Sequence, residues 1–245
     1  MRVISIALLA GIVACAAVRA APAADAAGFK VVWSFSCCKD GAVPLAGLID
    51  VQGTLYGTTE VGGAGRVPVG SVFAINRKSD VETVIYSFCR PSGCPDGEYP
   101  EAALIDVNGT LYGTTMGGGA NTYYGTAFAL DPQTGAETVL YSFCSRQNCT
   151  DGANPEASLI AVNGTLYGTT YEGGGNGGGR YGGTVFSLDI TTGVERVLHS
   201  FCSQQNCTDG ANPAAGLIDV NGKLYGTTSY GGTGSEGTVF ALKLQ

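Results

Sequence analysis

Hydrophobic and polar positions fall into short alternating runs broken by glycine-rich stretches, and one run recurs four times. Its clearest copy reads LIDVNGTLYGTT, residues 104–115, with variants at 48–59, 159–170 and 217–228. Leu104, Ile105 and Val107 supply the apolar and β-branched residues of a strand. Asn108-Gly109 is a strong two-residue hairpin signal, because both residues accept the positive φ of a type I′ turn. Leu111-Tyr112-Gly113-Thr114-Thr115 is the returning strand. The stretch therefore predicts a tight β-hairpin. Tyr56, Tyr112, Tyr167 and Tyr225 mark it at spacings of 55–58 residues, which makes the chain a repeat protein.

Following one period outward gives two more strands. A glycine-rich loop, MGGGANTYY, leads to GTAFAL at 125–130; DPQTG at 131–135 has turn chemistry; ETVLYSF at 137–143 alternates as a fourth strand. Four short antiparallel strands per unit, in tandem units, predict an all-β, four-bladed β-propeller. Phe29–Phe35 (FKVVWSF) matches the fourth strand, and GTVFALKL at 237–244 matches the third. Pairing the N-terminal strand with the last blade would close the ring and remove an open edge. The expected organisation is a signal peptide over 1–20, a linker over 21–28 and one propeller domain over 29–245. The single glycine of each YGT predicts a close backbone approach where twisted sheets meet. Propeller geometry puts the loops between fourth and first strands on the same face as the glycine-rich loops, with the Asn-Gly turns on the other.

Met1-Arg2 and the apolar run Val3–Val18 read as a secretory signal, with a small-residue cleavage site at Val18-Arg19-Ala20. A rival reading takes Ile12-Val13-Ala14-Cys15 as a lipobox with Cys15 lipidated. Either way the expected location is secreted, periplasmic or cell-surface, and no apolar run of membrane length is expected elsewhere. The formal net charge is −7, and losing Arg2 and Arg19 would make it −9. No basic stripe exists to neutralise phosphates, which argues against nucleic acid.

Beyond Cys15 the cysteines come in local pairs: Cys89/Cys94, Cys144/Cys149, Cys202/Cys207 and adjacent Cys37/Cys38. One histidine and no C-x-x-C pair argue against a metal site, so the first three pairs are expected as disulfides. In the first copy the loop is shorter, and Cys37 and Cys38 are either a vicinal disulfide or thiols that are free or paired elsewhere.

The tandem YGTT…GG…G[TS]xF units resemble the GloVer repeat family of exported proteins with varied cell-surface anchors. The resemblance covers all four units and implies fold and location; it brings no reaction and no catalytic residues. A C-terminal sorting signal of the kind found in the family is not expected after Gln245.

Candidate chemistry is sparse. Asp40, Asp96, Asp151 and Asp209 recur at one position, each before Gly. Ringing the axis, they would suit Ca²⁺, an oxygen-loving cation; the plainer reading is an Asx-type turn. No other cofactor is expected. His199 takes the place of Trp33, Tyr86 and Tyr141, as a packed ring. Glu82, Glu137 and Glu195 recur at strand entry and read as solvated charges. Tyr123, Tyr124, Tyr171, Tyr181 and Tyr230 lie in the variable loops beside Asn121, Asn176 and Arg180, where aromatic faces and amides suit sugar rings or peptide side chains. The expected function is an exported binding module for an extracellular polymer, a glycan foremost, or a protein surface. The alternatives are a structural or adhesion scaffold without a specific small ligand, and an extracellular hydrolase or lyase. An enzyme is not expected, since one histidine is a poor acid–base supply.

Overall fold

The structure, a computed structural model, describes residues 28–36, 39–64, 67–175 and 182–244. The expected signal segment and linker up to residue 27, Cys15, Cys37, Cys38, Asn176, Arg180 and Tyr181 lie outside the described residues. Contacts divide the chain into Met1–Val32 and Trp33–Gln245.

Fifteen strands build four antiparallel sheets among the described residues. Sheet 1 holds β1 (Ile49–Val51), β2 (Thr54–Thr59), β3 (Ser71–Asn76) and β4 (Val81–Ser87) in that order. Sheet 2 repeats it with β5 (Ile105–Val107), β6 (Thr110–Thr115), β7 (Thr126–Asp131) and β8 (Ala136–Ser142). Sheet 3 holds β9 (Ile160–Val162), β10 (Thr165–Thr170), β11 (Thr184–Asp189) and β12 (Glu195–Ser200). Sheet 4 has three: β13 (Ile218–Asp219), β14 (Lys223–Thr228) and β15 (Thr238–Lys243). The first strands β1, β5, β9 and β13 approach one another in succession, so they are the inner ones.

The hairpin signal holds. Asn108 and Gly109 have φ of 55° and 84°, and Asp106 Oδ1 accepts the Gly109 N–H at 3.0 Å. The fourth strands differ from simple alternation. Val72 faces Tyr86 but Phe73 faces Val84, so Ile85 is a bulge; Leu140 and Leu198 repeat it. The extra residue re-aims the end of the strand.

The cores lie between sheets. Tyr56, Val72 and Tyr86 of sheet 1 meet Leu104, Leu111 and Phe128 of sheet 2. Tyr112, Ala127 and Phe143 of sheet 2 meet Leu159, Leu166 and Phe186 of sheet 3. Val185 and Phe201 of sheet 3 meet Leu217, Leu224 and Phe240 of sheet 4. Each Phe closing a fourth strand sits edge-on to the third-strand Phe of the next sheet, as Phe88 does to Phe128 at 5.2 Å and Phe143 to Phe186 at 5.0 Å. The glycine of YGT makes that seat. A Cβ on Gly113 would lie 2.7 Å from Phe128 Cζ and 2.9 Å from Leu104 Cδ2. The close approach is thus to a ring and a leucine rather than to a neighbouring backbone.

The expected closing strand is not formed. Residues 29–36 carry no strand, and among the described residues no strand lies outside β15. Three described inter-sheet cores serve four sheets, and both terminal faces stay open. Leu48 is 50% exposed where Leu104 and Leu159 are 1%, and Val239 is 80% exposed where Val72 and Val185 are 0%.

Candidate functional site

The loops after the fourth strands and the glycine-rich loops are laced together in every sheet, which puts them on one face as expected. Ala153 pairs with Glu172 through two backbone hydrogen bonds, and Gly152 and Gly174 both donate to the Cys149 carbonyl at 2.9 Å. Cys94 and Cys207 carbonyls receive the same two donors from their own loops. The disulfides Cys89–Cys94, Cys144–Cys149 and Cys202–Cys207 are formed, each within one loop. All six of these cysteines have positive φ, so each bridge holds two residues in a region side chains avoid.

The repeating aspartates staple these loops. Asp151 is fully buried; its Oδ2 accepts Tyr141 Oη–H, Ser145 N–H and Ser145 Oγ–H at 2.8 Å, and its Oδ1 accepts Arg146 N–H at 3.2 Å. Asp96 takes Tyr86 Oη–H at 2.8 Å and Arg90 N–H at 3.1 Å. Asp209 lies 3.4 Å from His199 Nε2, and His199 stacks edge-on against Phe201 at 4.8 Å. Burial works against the Asp209 charge, but hydrogen bonds from Ser203 and Gln204 outweigh it and hold the carboxyl below its usual value. Asp40 is lowered by the Ser36 N–H and helped by Trp33. Each aspartate thus partners the aromatic position of its own repeat. Among the described residues, no three His, Cys, Asp or Glu side chains gather so as to hold a metal ion.

The strand-entry glutamates are not all solvated. Glu195 has a fully buried side chain, with Arg146 Nη2 2.8 Å from its Oε2. Burial pushes its carboxyl up to about 7 although Arg146 pulls the other way. Glu137 is 3.4 Å from Tyr86 Oη, and burial together with the Asp96 charge raises it to about 7. Glu82 is raised to about 7 by burial and by Asp40. Each glutamate therefore sits over the aromatic–aspartate pair of the preceding repeat.

The tyrosines separate into two kinds. Tyr123 is 72% and Tyr230 50% exposed. Tyr124 and Tyr171 are half-buried. Asn121 is a clamp, donating through Nδ2 to the carbonyls of Phe143 and Cys144 at 3.3 and 2.9 Å. Tyr171, Ser229 and Tyr230 come together across sheets 3 and 4, with Glu156 and Glu172 close enough to raise the Tyr171 hydroxyl after burial has done so. A hollow of about 190 Å³ beside them is lined by Asn206, Ala211, Tyr230 and Ser235.

Two groups escaped the sequence reading. Asn154, with φ 55°, donates from Nδ2 to Met116 and Tyr123 carbonyls at 3.0 Å and from N–H to Tyr124 O at 2.8 Å, while its own carbonyl takes Tyr171 N–H. Asn212 ties sheets 3 and 4 alike, through Gly182 O and Tyr171 O. The signal in the sequence is the recurrence of DGANP at 151–155 and 209–213. Glu101 and Glu156, in the repeated Pro-Glu-Ala, stand just ahead of β5 and β9; burial and the charges of Glu101 and Glu172 push Glu156 up to about 7.

Four-stranded antiparallel sheets packed face to face, with loops laced on one rim, define a β-propeller-like repeat module. Solved structures share that fold. A chain of a nidogen/laminin complex matches with TM-score 0.52 and 16% identity over 83% of this chain and 61% of that one. A quinohemoprotein alcohol dehydrogenase from Pseudomonas putida matches with TM-score 0.50 and 17% identity over 79% of this chain and 29% of that one. This chain therefore spans less than two thirds of either. No curated relative matches it. The family model for the Gloeobacter/Verrucomicrobia repeat matches residues 18–182 and 146–245, and the chain belongs to that family.

Proposed function

We propose that the protein is an extracellular binding module that holds an extended polymer, a glycan foremost, on the face carrying the glycine-rich loops. The observation that carries this reading is the placement of Tyr171, Ser229 and Tyr230 beside Glu156 and Glu172 on loops tied across two sheets by Asn212. Aromatic faces cover apolar patches of a sugar, while carboxylates and hydroxyls take its O–H donors. Tyr123 extends the surface over sheet 2. Three loop disulfides fit an oxidising compartment, and among the described residues no helix is long and apolar enough to cross a membrane.

Each contact is shallow, so retention should come from several sheets engaging one polymer. The test is retention on immobilised extracellular polysaccharides and on a peptide array. Tyr123→Ala with Tyr230→Ala should abolish retention on the polysaccharide and leave thermal unfolding within about 2 °C of the parent, since exposed side chains carry little stability. Normal retention by that variant sinks the reading. An interaction scaffold without a small ligand is the second reading, favoured by the open apolar faces at Leu48 and Val239.

A further inference from the structure

Three of the four inner hairpins turn on Asn-Gly, at Asn108-Gly109, Asn163-Gly164 and Asn221-Gly222. The second and third copies fold alike. Asn108 and Gly109 have φ of 55° and 84°, Asn163 and Gly164 of 51° and 79°, and both asparagines are exposed. In each the strands close on a Val–Thr pair, Val107 with Thr110 and Val162 with Thr165. One side chain differs. Asp106, two residues ahead of Asn108, accepts the Gly109 N–H through Oδ1 at 3.0 Å, as Asp50 accepts the Gly53 N–H at 2.9 Å in the first copy. The third copy reads IAV where the second reads IDV, so Ala161 stands in that place. The Gly164 N–H has no acceptor among the described residues.

We propose that Asn163 is a site of spontaneous covalent modification, deamidation through a succinimide, which the Asp106 carboxylate holds in check at Asn108. Water is the only co-reactant. The Gly164 nitrogen attacks the side-chain carbonyl carbon of Asn163 and a C–N bond forms. The bond from that carbon to the side-chain nitrogen breaks, and ammonia leaves carrying the proton from Gly164. Water then opens the five-membered ring at either carbonyl, giving aspartate or isoaspartate, with no change of oxidation state. Glycine suits the attack because no Cβ shields its nitrogen.

Turn opening sets the rate. In the left-handed conformation the following nitrogen lies anti to Cβ, so it reaches the side-chain carbon only after the backbone at the asparagine rotates. The bond from Gly109 N–H to Asp106 opposes that rotation at Asn108. Asn163 lacks the tie. The two stretches are otherwise the same, VNGTLYGTT at 107–115 and 162–170, so local sequence does not set them apart. In the fourth copy Asp219 keeps a carboxylate at this place, although the Gly222 N–H is not bonded to it. The product matters to the fold. Isoaspartate adds a methylene to the main chain, and a two-residue type I′ turn has no room for another backbone atom. Val162 and Thr165 would lose their register, loosening β9 next to Leu159, which sits in the core between sheets 2 and 3.

The test uses the full chain, stored in mildly alkaline buffer and sampled over time. Peptide mapping by mass spectrometry follows conversion at Asn108 and Asn163, with isoaspartate counted by enzymatic methylation. Asn163 should convert about fivefold faster than Asn108, the factor that one exposed hydrogen bond is worth. Ala161→Asp should slow Asn163 to the Asn108 rate, and Asp106→Ala should bring Asn108 up to the Asn163 rate. In denaturing urea the two should convert alike, since only the folded turn distinguishes them. The thermal midpoint of the parent should drift down as isoaspartate accumulates, and that of Ala161→Asp should hold longer. Equal rates in the folded parent, a difference that persists in urea, or an Asn163 rate that Ala161→Asp leaves unchanged would overturn the proposal.

Discussion

Phe35 meets Phe73 edge-on, 5.0 Å between centroids and 71° between planes, in the relation that Phe88 holds to Phe128 one repeat later. Residues 33–36 thus occupy the place of a fourth-strand end ahead of sheet 1, although they belong to no strand. The first ring of the series is in position before the first sheet begins.

The two rings should differ in worth. Phe88 is fully buried, and Phe88→Ala should cost about 3–5 kcal/mol through lost transfer energy and the cavity left behind. Phe35 is half-buried, and Phe35→Ala should cost less than half as much in the dilute monomer. Urea unfolding of both variants checks this. Equal losses would place Phe35 in a closed core.

Gly113→Ala should destabilise by about 1–3 kcal/mol, the cost of overpacking a filled core. The new Cβ meets Phe128 Cζ at 2.7 Å, and Phe128 is fully buried and packed edge-on with Phe88, which leaves it little room to retreat. Pairing Gly113→Ala with Phe128→Leu should recover part of the loss. A double variant no more stable than the sum of the singles would mean that the ring is not what the glycine accommodates.

Stability should fall as pH rises from 4.5 to about 7. Burial raises Glu137 and Glu156 from 4.5 to about 7 in the folded chain. Below the unfolded value both states are protonated and nothing is lost. Between the two values the unfolded state ionises first, so each unit of pH favours unfolding until the folded carboxyl titrates near 7. Asp209 acts the other way: its lowered carboxyl supports the fold above 3.8, and that support goes as the pH falls through its folded value. Thermal midpoints across pH, with Glu137→Gln and Glu156→Gln flattening the limb above pH 5, are the measurement. An unchanged slope in the double variant would assign it elsewhere.

The strands and their order were legible because each carries its own local signal: Asn108-Gly109 for the hairpin, alternation in GTAFAL, local cysteine pairs for the loops. The open seams were not. FKVVWSF reads as a fourth strand whether its partner is this chain or another, since pattern records what a strand wants to pair with and not whose edge is near. The burial of Glu195 was hidden for a similar reason. A glutamate after a turn looks solvated until the neighbouring sheet, supplying Arg146, is laid over it. Asp151 was legible as a turn residue, yet its partner Tyr141 stands in a strand and is invisible to a local reading.

That aspartate decides between a loop staple and a cation ligand. Asp151 accepts hydrogen bonds from the Tyr141 and Ser145 hydroxyls and from the N–H groups of Ser145 and Arg146, with no exposure to water. Asp151→Ala leaves those donors without an acceptor; Ser145 and Arg146 are exposed and can turn to water, so the half-buried Tyr141 hydroxyl carries most of a cost of about 1–3 kcal/mol. The variant should therefore unfold well below the parent whether or not Ca²⁺ is present. Asp151→Asn keeps an acceptor oxygen and should lie between the two. If instead millimolar Ca²⁺ raises the parent's thermal midpoint, and Asp151→Ala removes that rise while unfolding like the calcium-free parent, the carboxylate is a ligand and the staple reading is wrong.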